Sequence, residues 1–205
     1  MPVPHFTDLT GLAGAASATA ATVRLLPGIA KLARPRLAWL LAVVFVLVLI
    51  PFDGMPLAAY VRGVTGDLSI TTLILLWCAL LRPWCGCVMV EPKHRFVLLT
   101  LIALAALALY PLTLGAGEYD PYRLGYGYPQ FIIVLLLLAF VAWFRKSSLL
   151  ALCIALAILA WAIGWYESGN LWDYLLDPFV AIYAMTAIIN RGVKTWVKSQ
   201  RSVPR

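Results

Sequence analysis

The chain has 205 residues, of which 63% are hydrophobic and 12% charged, whereas soluble domains run near half apolar and a quarter charged. A mean hydropathy of +0.90 excludes an ordinary soluble domain, a disordered chain, a coiled coil, a collagen-like fibre and a disulfide-stapled secreted module. A formal charge of +7 on so little polar surface points to anionic lipid rather than nucleic acid as the partner.

Residues 1–36 lack the basic n-region and apolar core of a secretory signal. Phe6, Leu9, Leu12, Ala16, Ala20, Val23 and Leu26 recur every three or four residues, as one face of a helix does, and Pro27 ends the pattern. With Arg24, Lys31, Arg34 and Arg36 following, this segment reads as an amphipathic interfacial helix on the cytoplasmic leaflet, or as a docking helix for a partner.

A helix that crosses the bilayer needs about 20 mostly apolar residues. Six segments qualify as candidates: 37–52, 68–81, 96–114, 131–144, 149–165 and 171–190. The first is short and is stopped by Pro51, Asp53 and Gly54. The second is bounded by Asp67 and Arg82. The third is the most uniformly apolar, although Pro111 should bend its last turn. The fourth and fifth are separated by Arg145 and Lys146. The sixth carries Asp173, Asp177 and Pro178 in its first half, which leaves open whether it spans fully or begins as a half-helix.

The charges give an independent test, because Lys and Arg collect in cytoplasmic loops. With six spans and the N-terminus inside, fourteen of the sixteen basic residues lie inside, leaving Arg62 and Arg123 outside. Seven of the nine acidic residues lie outside, leaving Asp8 and Glu91 inside. A five-span layout would expose the basic tail and spoil the pattern. The expected fold is therefore an all-α integral membrane protein, a six-helix transmembrane bundle with both termini cytoplasmic. Residues 1–36 form the interfacial and basic N-terminal segment, 37–190 the transmembrane domain and 191–205 a basic cytoplasmic tail. The pattern fits a multi-pass protein of the cell inner membrane.

In the tail, Arg191, Lys194, Lys198 and Arg201 are spaced three, four and three apart, so a continuing helix places them on one side. Together with Arg34 and Arg36 they are candidate contacts for anionic lipid headgroups, each worth roughly 1 kcal/mol near such a surface. No base-stacking or groove-reading element accompanies them, so no nucleic-acid partner is expected.

Thiolates and imidazole suit zinc or copper, which makes Cys85, Cys87 and His94 weak candidates for a metal site. The Cys85-Gly86-Cys87 spacing is shorter than a zinc knuckle and no second pair joins it. A regulatory thiol pair and ordinary loop residues are the alternatives. Cys78 and Cys153 lie inside spans, where free cysteine is a small apolar filler. No cofactor is expected.

The outer face is the informative region. Residues 115–129 pack four tyrosines, two acids and Arg123 among glycines, and residues 165–178 add Glu167, Asn170, Trp172, Asp173 and Asp177. If the second segment is helical throughout, Asn170, Asp173 and Asp177 share one face at i, i+3 and i+7. Three readings compete for this surface. Aromatic residues concentrate at membrane boundaries in any case. A binding surface for a glycan or lipid headgroup would use Glu118, Asp120, Tyr122, Arg123, Tyr126, Asn170, Trp172, Asp173 and Asp177. A catalytic site would rest on Glu167, Asp173 and Asp177, with Arg123 as an anion clamp because its planar fork suits phosphate or carboxylate.

Gly169, Asp173 and Asp177 fit G-x-x-x-D-x-x-x-D, which resembles the second half of the signature of CDP-alcohol phosphotransferases. The first half, an Asp pair followed by Gly, Ala and Arg, is absent from the uncharged residues 149–164. That family also works at the cytoplasmic side, whereas these acids read as outside, so its activity is not carried over. No Walker motif, dinucleotide fingerprint, H-E-x-x-H or internal repeat is present. The expected function is a non-catalytic subunit or binding component of an envelope glycan or lipid assembly, with a protein partner or oligomer in the membrane. A small membrane enzyme acting on a lipid-linked or polar headgroup is the alternative, and a transporter comes third because spans three to five hold almost no mid-span polar residues.

Overall fold

A computed structural model describes residues 6–85 and 91–201. The described chain is predominantly helical: α1 (Phe6–Leu25), α2 (Arg34–Leu47), α3 (Leu57–Thr65), α4 (Ile70–Cys85), α5 (Pro92–Pro111), α6 (Pro129–Phe144), α7 (Ser148–Ala162), α8 (Leu171–Leu175) and α9 (Pro178–Arg201). Between α2 and α3 a short antiparallel hairpin pairs β1 (Pro51–Phe52) with β2 (Met55–Pro56). Asp53 and Gly54 turn it with positive φ, the conformation that such two-residue turns require.

The main core is built by α4, α5, α7 and α9, with Leu98, Leu99, Ile102, Ala106, Ile154, Ala157, Val180, Ala181 and Ala184 at its centre. Ala and Cys153 alternate there with larger residues, so the helix axes approach closely. Helix α6 packs chiefly on α7 and leaves Ile133, Val134, Leu137, Phe140 and Trp143 exposed. Helix α5 ends at Pro111, whose ring cannot donate to the ladder. A wider π turn over Leu112–Ala116 follows, closed by Gly115 at positive φ. With that turn, Pro92–Ala116 is the one described helix long and apolar enough to cross a membrane; α4, α6 and α7 contain shorter apolar stretches.

Two segments bear on the sequence expectations. The N-terminal helix does not stand apart from the other helices. Helix α1 packs against α2, α3 and α4, and its buried residues are Thr10, Gly11, Gly14, Ala15, Ala16, Ser17 and Ala20. Small side chains allow that close approach, while Phe6, Leu9 and Leu26 stay more than half exposed. Nor is 171–190 one helix. The chain turns out of α8 at Leu176, whose backbone is extended (φ −144°, ψ 132°), and restarts at Pro178, a residue pre-set for a first helical position.

The two ends of the bundle differ in charge. At one end Asp8, Arg62 and Asp67 meet, close to the starts of α4 and α9. At the other, Arg95 bonds the Tyr183 hydroxyl and the Arg191 guanidinium sits 3.9 Å above the Phe96 ring. Beyond it α9 carries Arg191, Lys194 and Lys198, all exposed, as are Arg34 and Arg36 at the start of α2.

Candidate functional site

The acidic end is organised by helix starts. Ser69 precedes α4, and its hydroxyl accepts from the Thr72 N–H at 3.2 Å, the N-cap bond that Ser supplies best. Asp177 precedes α9 and accepts from the Val180 N–H at 2.8 Å, the same bond for a second helix. Its other oxygen accepts from the Ser69 N–H at 2.8 Å and from the Thr72 hydroxyl. One carboxylate, 6% exposed, therefore joins the N-termini of α4 and α9. Positive helix-dipole ends and three donors stabilise its charge.

Asp173 is held differently. Both of its oxygens lie 2.9 Å from the Tyr122 hydroxyl, which donates to them, and Oδ2 also accepts from the Ser168 hydroxyl at 2.5 Å. Burial, and then the bond to Asp173, push the Tyr122 phenol above its ordinary range, so it remains a donor. Asn170 is fully buried. It caps α8 through the Trp172 N–H at 2.9 Å and donates to the Tyr122 carbonyl at 2.9 Å. The Trp172 indole donates to the Pro121 carbonyl at 3.0 Å. These two bonds staple the short helical turn Pro121–Gly125 onto α8. Gly125 is required there because a Cβ would collide with the Asn170 side-chain oxygen.

Arg62 grips Asp67 with two nitrogens, at 2.7 and 3.1 Å, and reaches Asp8 at 3.2 Å. The bond to Asp67 is the main reason its guanidinium is held above the ordinary arginine range. The Tyr166 hydroxyl donates to the Leu68 carbonyl at 2.7 Å, and burial followed by the Asp67 charge raises its phenol.

Among these groups lies a cavity of about 520 Å³, lined by Asp67, Tyr110, Tyr122, Tyr166, Ser168, Trp172, Asp173 and Asp177 over an apolar floor that includes Leu109 and Leu176. It brings together four of the residues expected from sequence to bind or react, Tyr122, Trp172, Asp173 and Asp177. It does not include the others. Glu118 and Glu167 are exposed. Asp120 caps its own turn through the Tyr122 N–H at 3.0 Å, and Tyr126 is 62% exposed against the edge of Tyr122. Arg123 is 80% exposed and 3.7 Å from Asp120, away from the cavity, so it clamps nothing there. The break at Leu176 means that Asn170, Asp173 and Asp177 do not share a helical face, and the G-x-x-x-D-x-x-x-D spacing is split between two elements.

Sequence reasoning missed Asp67, Tyr110, Tyr166 and Ser168 as cavity residues. Signals for the scaffold were present: Ser69 three residues before Thr72 ahead of an apolar run, and Asp177 directly before Pro178, are both helix-start signatures. His94 lies 3.8 Å from Glu91. Cys87 falls outside the described residues, and only the backbone of Cys85 is described, so the thiol pair has no structural account. Among the described residues no group of three or more His, Cys, Asp or Glu is placed to hold a metal ion.

No protein-family model, curated protein or solved structure matches the chain.

Proposed function

We propose that the chain is a multi-pass protein of the cell inner membrane and a non-catalytic subunit or binding component of an envelope glycan or lipid assembly, whose outer cavity holds a polar headgroup. Helices α2, α4, α5, α6, α7 and α9 are the six crossing segments expected from sequence, with the basic end inside. The segregation of Lys and Arg supports that orientation. Helices α2, α4, α6 and α7 have 14–16 residues, about 21–24 Å at 1.5 Å per residue. That is short of a hydrocarbon core of about 30 Å, and local thinning together with snorkelling of Arg36, Arg145 and Lys146 makes up the difference.

The observation that carries the binding role is Asp173, a carboxylate at a cavity of about 520 Å³ among tyrosine and tryptophan rings. No basic residue lines that cavity, which favours a hydroxylated or cationic group over a phosphate. The non-catalytic reading is supported by the bonding of the cavity carboxylates, each of which is engaged by donors of its own chain. Among the described residues no histidine lines the cavity.

The test is purification in mild detergent followed by native mass spectrometry of what is retained. The expected result is a retained lipid-linked or polar molecule that Asp173→Asn loses while its helical content and melting stay close to wild type. Retention unchanged by Asp173→Asn removes the cavity from the function. Turnover of the retained molecule, lost in the same variant, replaces the binding reading with the enzyme one.

A further inference from the structure

Helix α1 does more than pack on the bundle. It runs beside α4 in the same direction and keeps step with it. Near its start, Gly11 faces the Arg62–Asp67 ion pair just ahead of α4, so closely that a Cβ would collide with both side chains. One turn on, a Cβ at Gly14 would lie 3.6 Å from the Leu73 side chain. Near its end, Ala20 is buried in one cluster with Leu80 of α4 and with Leu37 and Leu41 of α2. The first turn is fastened at the acidic end: Asp8 pairs with Arg62, the Thr10 hydroxyl donates to the Trp165 carbonyl at 2.6 Å, and the Phe6 and Trp165 rings meet edge to face at 5.4 Å.

We infer that α1 is a seventh crossing segment that enters from the outer side, so that its first residues share a face with the cavity instead of lying in the cytoplasm. This rests on the reading above for the crossing of α4 and for the names outer and inner. Four observations converge on it. A pair of parallel neighbours must cross in the same sense, and α4 enters at the acidic end. Twenty residues make a helix of about 30 Å, the length of the hydrocarbon core, although α1 is less apolar than α5. The hydroxyls of Ser17, Thr19 and Thr22 donate to carbonyls one turn back, at 2.8–2.9 Å, so these groups need no water, as a lipid environment demands.

The fourth is charge. With α1 crossing, Asp8 moves outside and Arg24 stays inside, so eight of the nine acids lie on the outer side and Glu91 alone remains within. The layout improves on the six-span count with nothing else changed. It also makes α1 part of the cavity's support, because Asp8 reaches the wall residue Asp67 through Arg62.

The crossing is read by labelling with a membrane-impermeant maleimide in right-side-out vesicles. The four native cysteines are replaced by alanine, and single cysteines are placed at Thr7, Leu25, Glu118 or Lys194. Thr7→Cys and Glu118→Cys should label in sealed vesicles, while Leu25→Cys and Lys194→Cys label only after permeabilisation. Thr7 and Leu25 labelling from the same side overturns the inference, whichever sides the two reference positions take. If the reference positions exchange sides while Thr7 and Leu25 remain opposite, α1 still crosses and the assigned orientation of the bundle fails instead. Should the cysteine-free chain not fold, an epitope tag ahead of residue 1 of the unaltered sequence decides. Antibody access in sealed vesicles is expected, and access only after permeabilisation refutes the crossing.

Discussion

Replacing Asp177 with alanine isolates the clamp between α4 and α9. The carboxylate accepts three hydrogen bonds at a site that is 6% exposed. Loss of the α9 N-cap costs about 1 kcal/mol. The Ser69 N–H is left buried without an acceptor, which costs about 1–3 kcal/mol. The Thr72 hydroxyl adds little, because it can turn back to the Ser69 hydroxyl 3.1 Å away. The total is about 2–4 kcal/mol, a fall in melting temperature on the order of 10 °C for a chain of this size. Asp177→Asn should lie between wild type and alanine, since it keeps one acceptor but turns an amide donor toward the other donors. Thr72→Val should cost about 1 kcal/mol alone and nearly nothing in the alanine background, the coupling expected of groups in one network. The assay is thermal melting of purified protein in a single detergent. An Asp177→Ala variant that melts with wild type refutes the clamp. A variant that folds normally yet loses the retained molecule returns Asp177 to the binding machinery.

Gly125→Ala forces a methyl against the Asn170 amide, which is pinned by bonds to Tyr122 and Trp172; overpacking of this kind costs about 1–3 kcal/mol, to be read from the same melts. Arg123→Ala should change stability by less than about 0.5 kcal/mol, as exposed pairs usually do. It should also leave ligand retention in the mass spectrum unaltered. A loss of retention there would restore the anion clamp expected from sequence.

What could be read from the sequence follows from how local each signal is. The helical class, and most of α4 to α7, came from apolar runs bounded by charge, because each such run is decided by its own residues. The ends of the acidic site were legible in part: aromatic rings and acids between residues 115 and 178 were identified as the informative surface. Its assembly was not, because Asp67 and Tyr110 enter the cavity from elements far away in the chain. The packing of α1 was legible only in part. Of the periodic face, Phe6 and Leu9 stay exposed while Leu12 packs inward and Ala16 and Ala20 are buried. The close approach itself is made by small residues, Gly11, Gly14, Ala15 and Ser17 among them, which carry no apolar periodicity. The sixth segment was left open between a full span and a half-helix; the extended backbone at Leu176 and the N-cap at Asp177 decide for a break.

The same point separates the three cavity acids. Each is held by a different kind of partner. Asp177 is occupied by two helix N-termini. Asp67 is occupied by Arg62, a bond whose loss would leave it facing Asp8 unneutralised. Asp173 is the exception, since its donors are the hydroxyls of Tyr122 and Ser168. A hydroxyl can rotate away or accept as readily as it donates, so a ligand bearing hydroxyl or ammonium groups can take a place on this carboxylate without opening a helix end. The scaffold acids make the cavity rigid, and the one acid held by movable donors is where binding has the least structure to disturb.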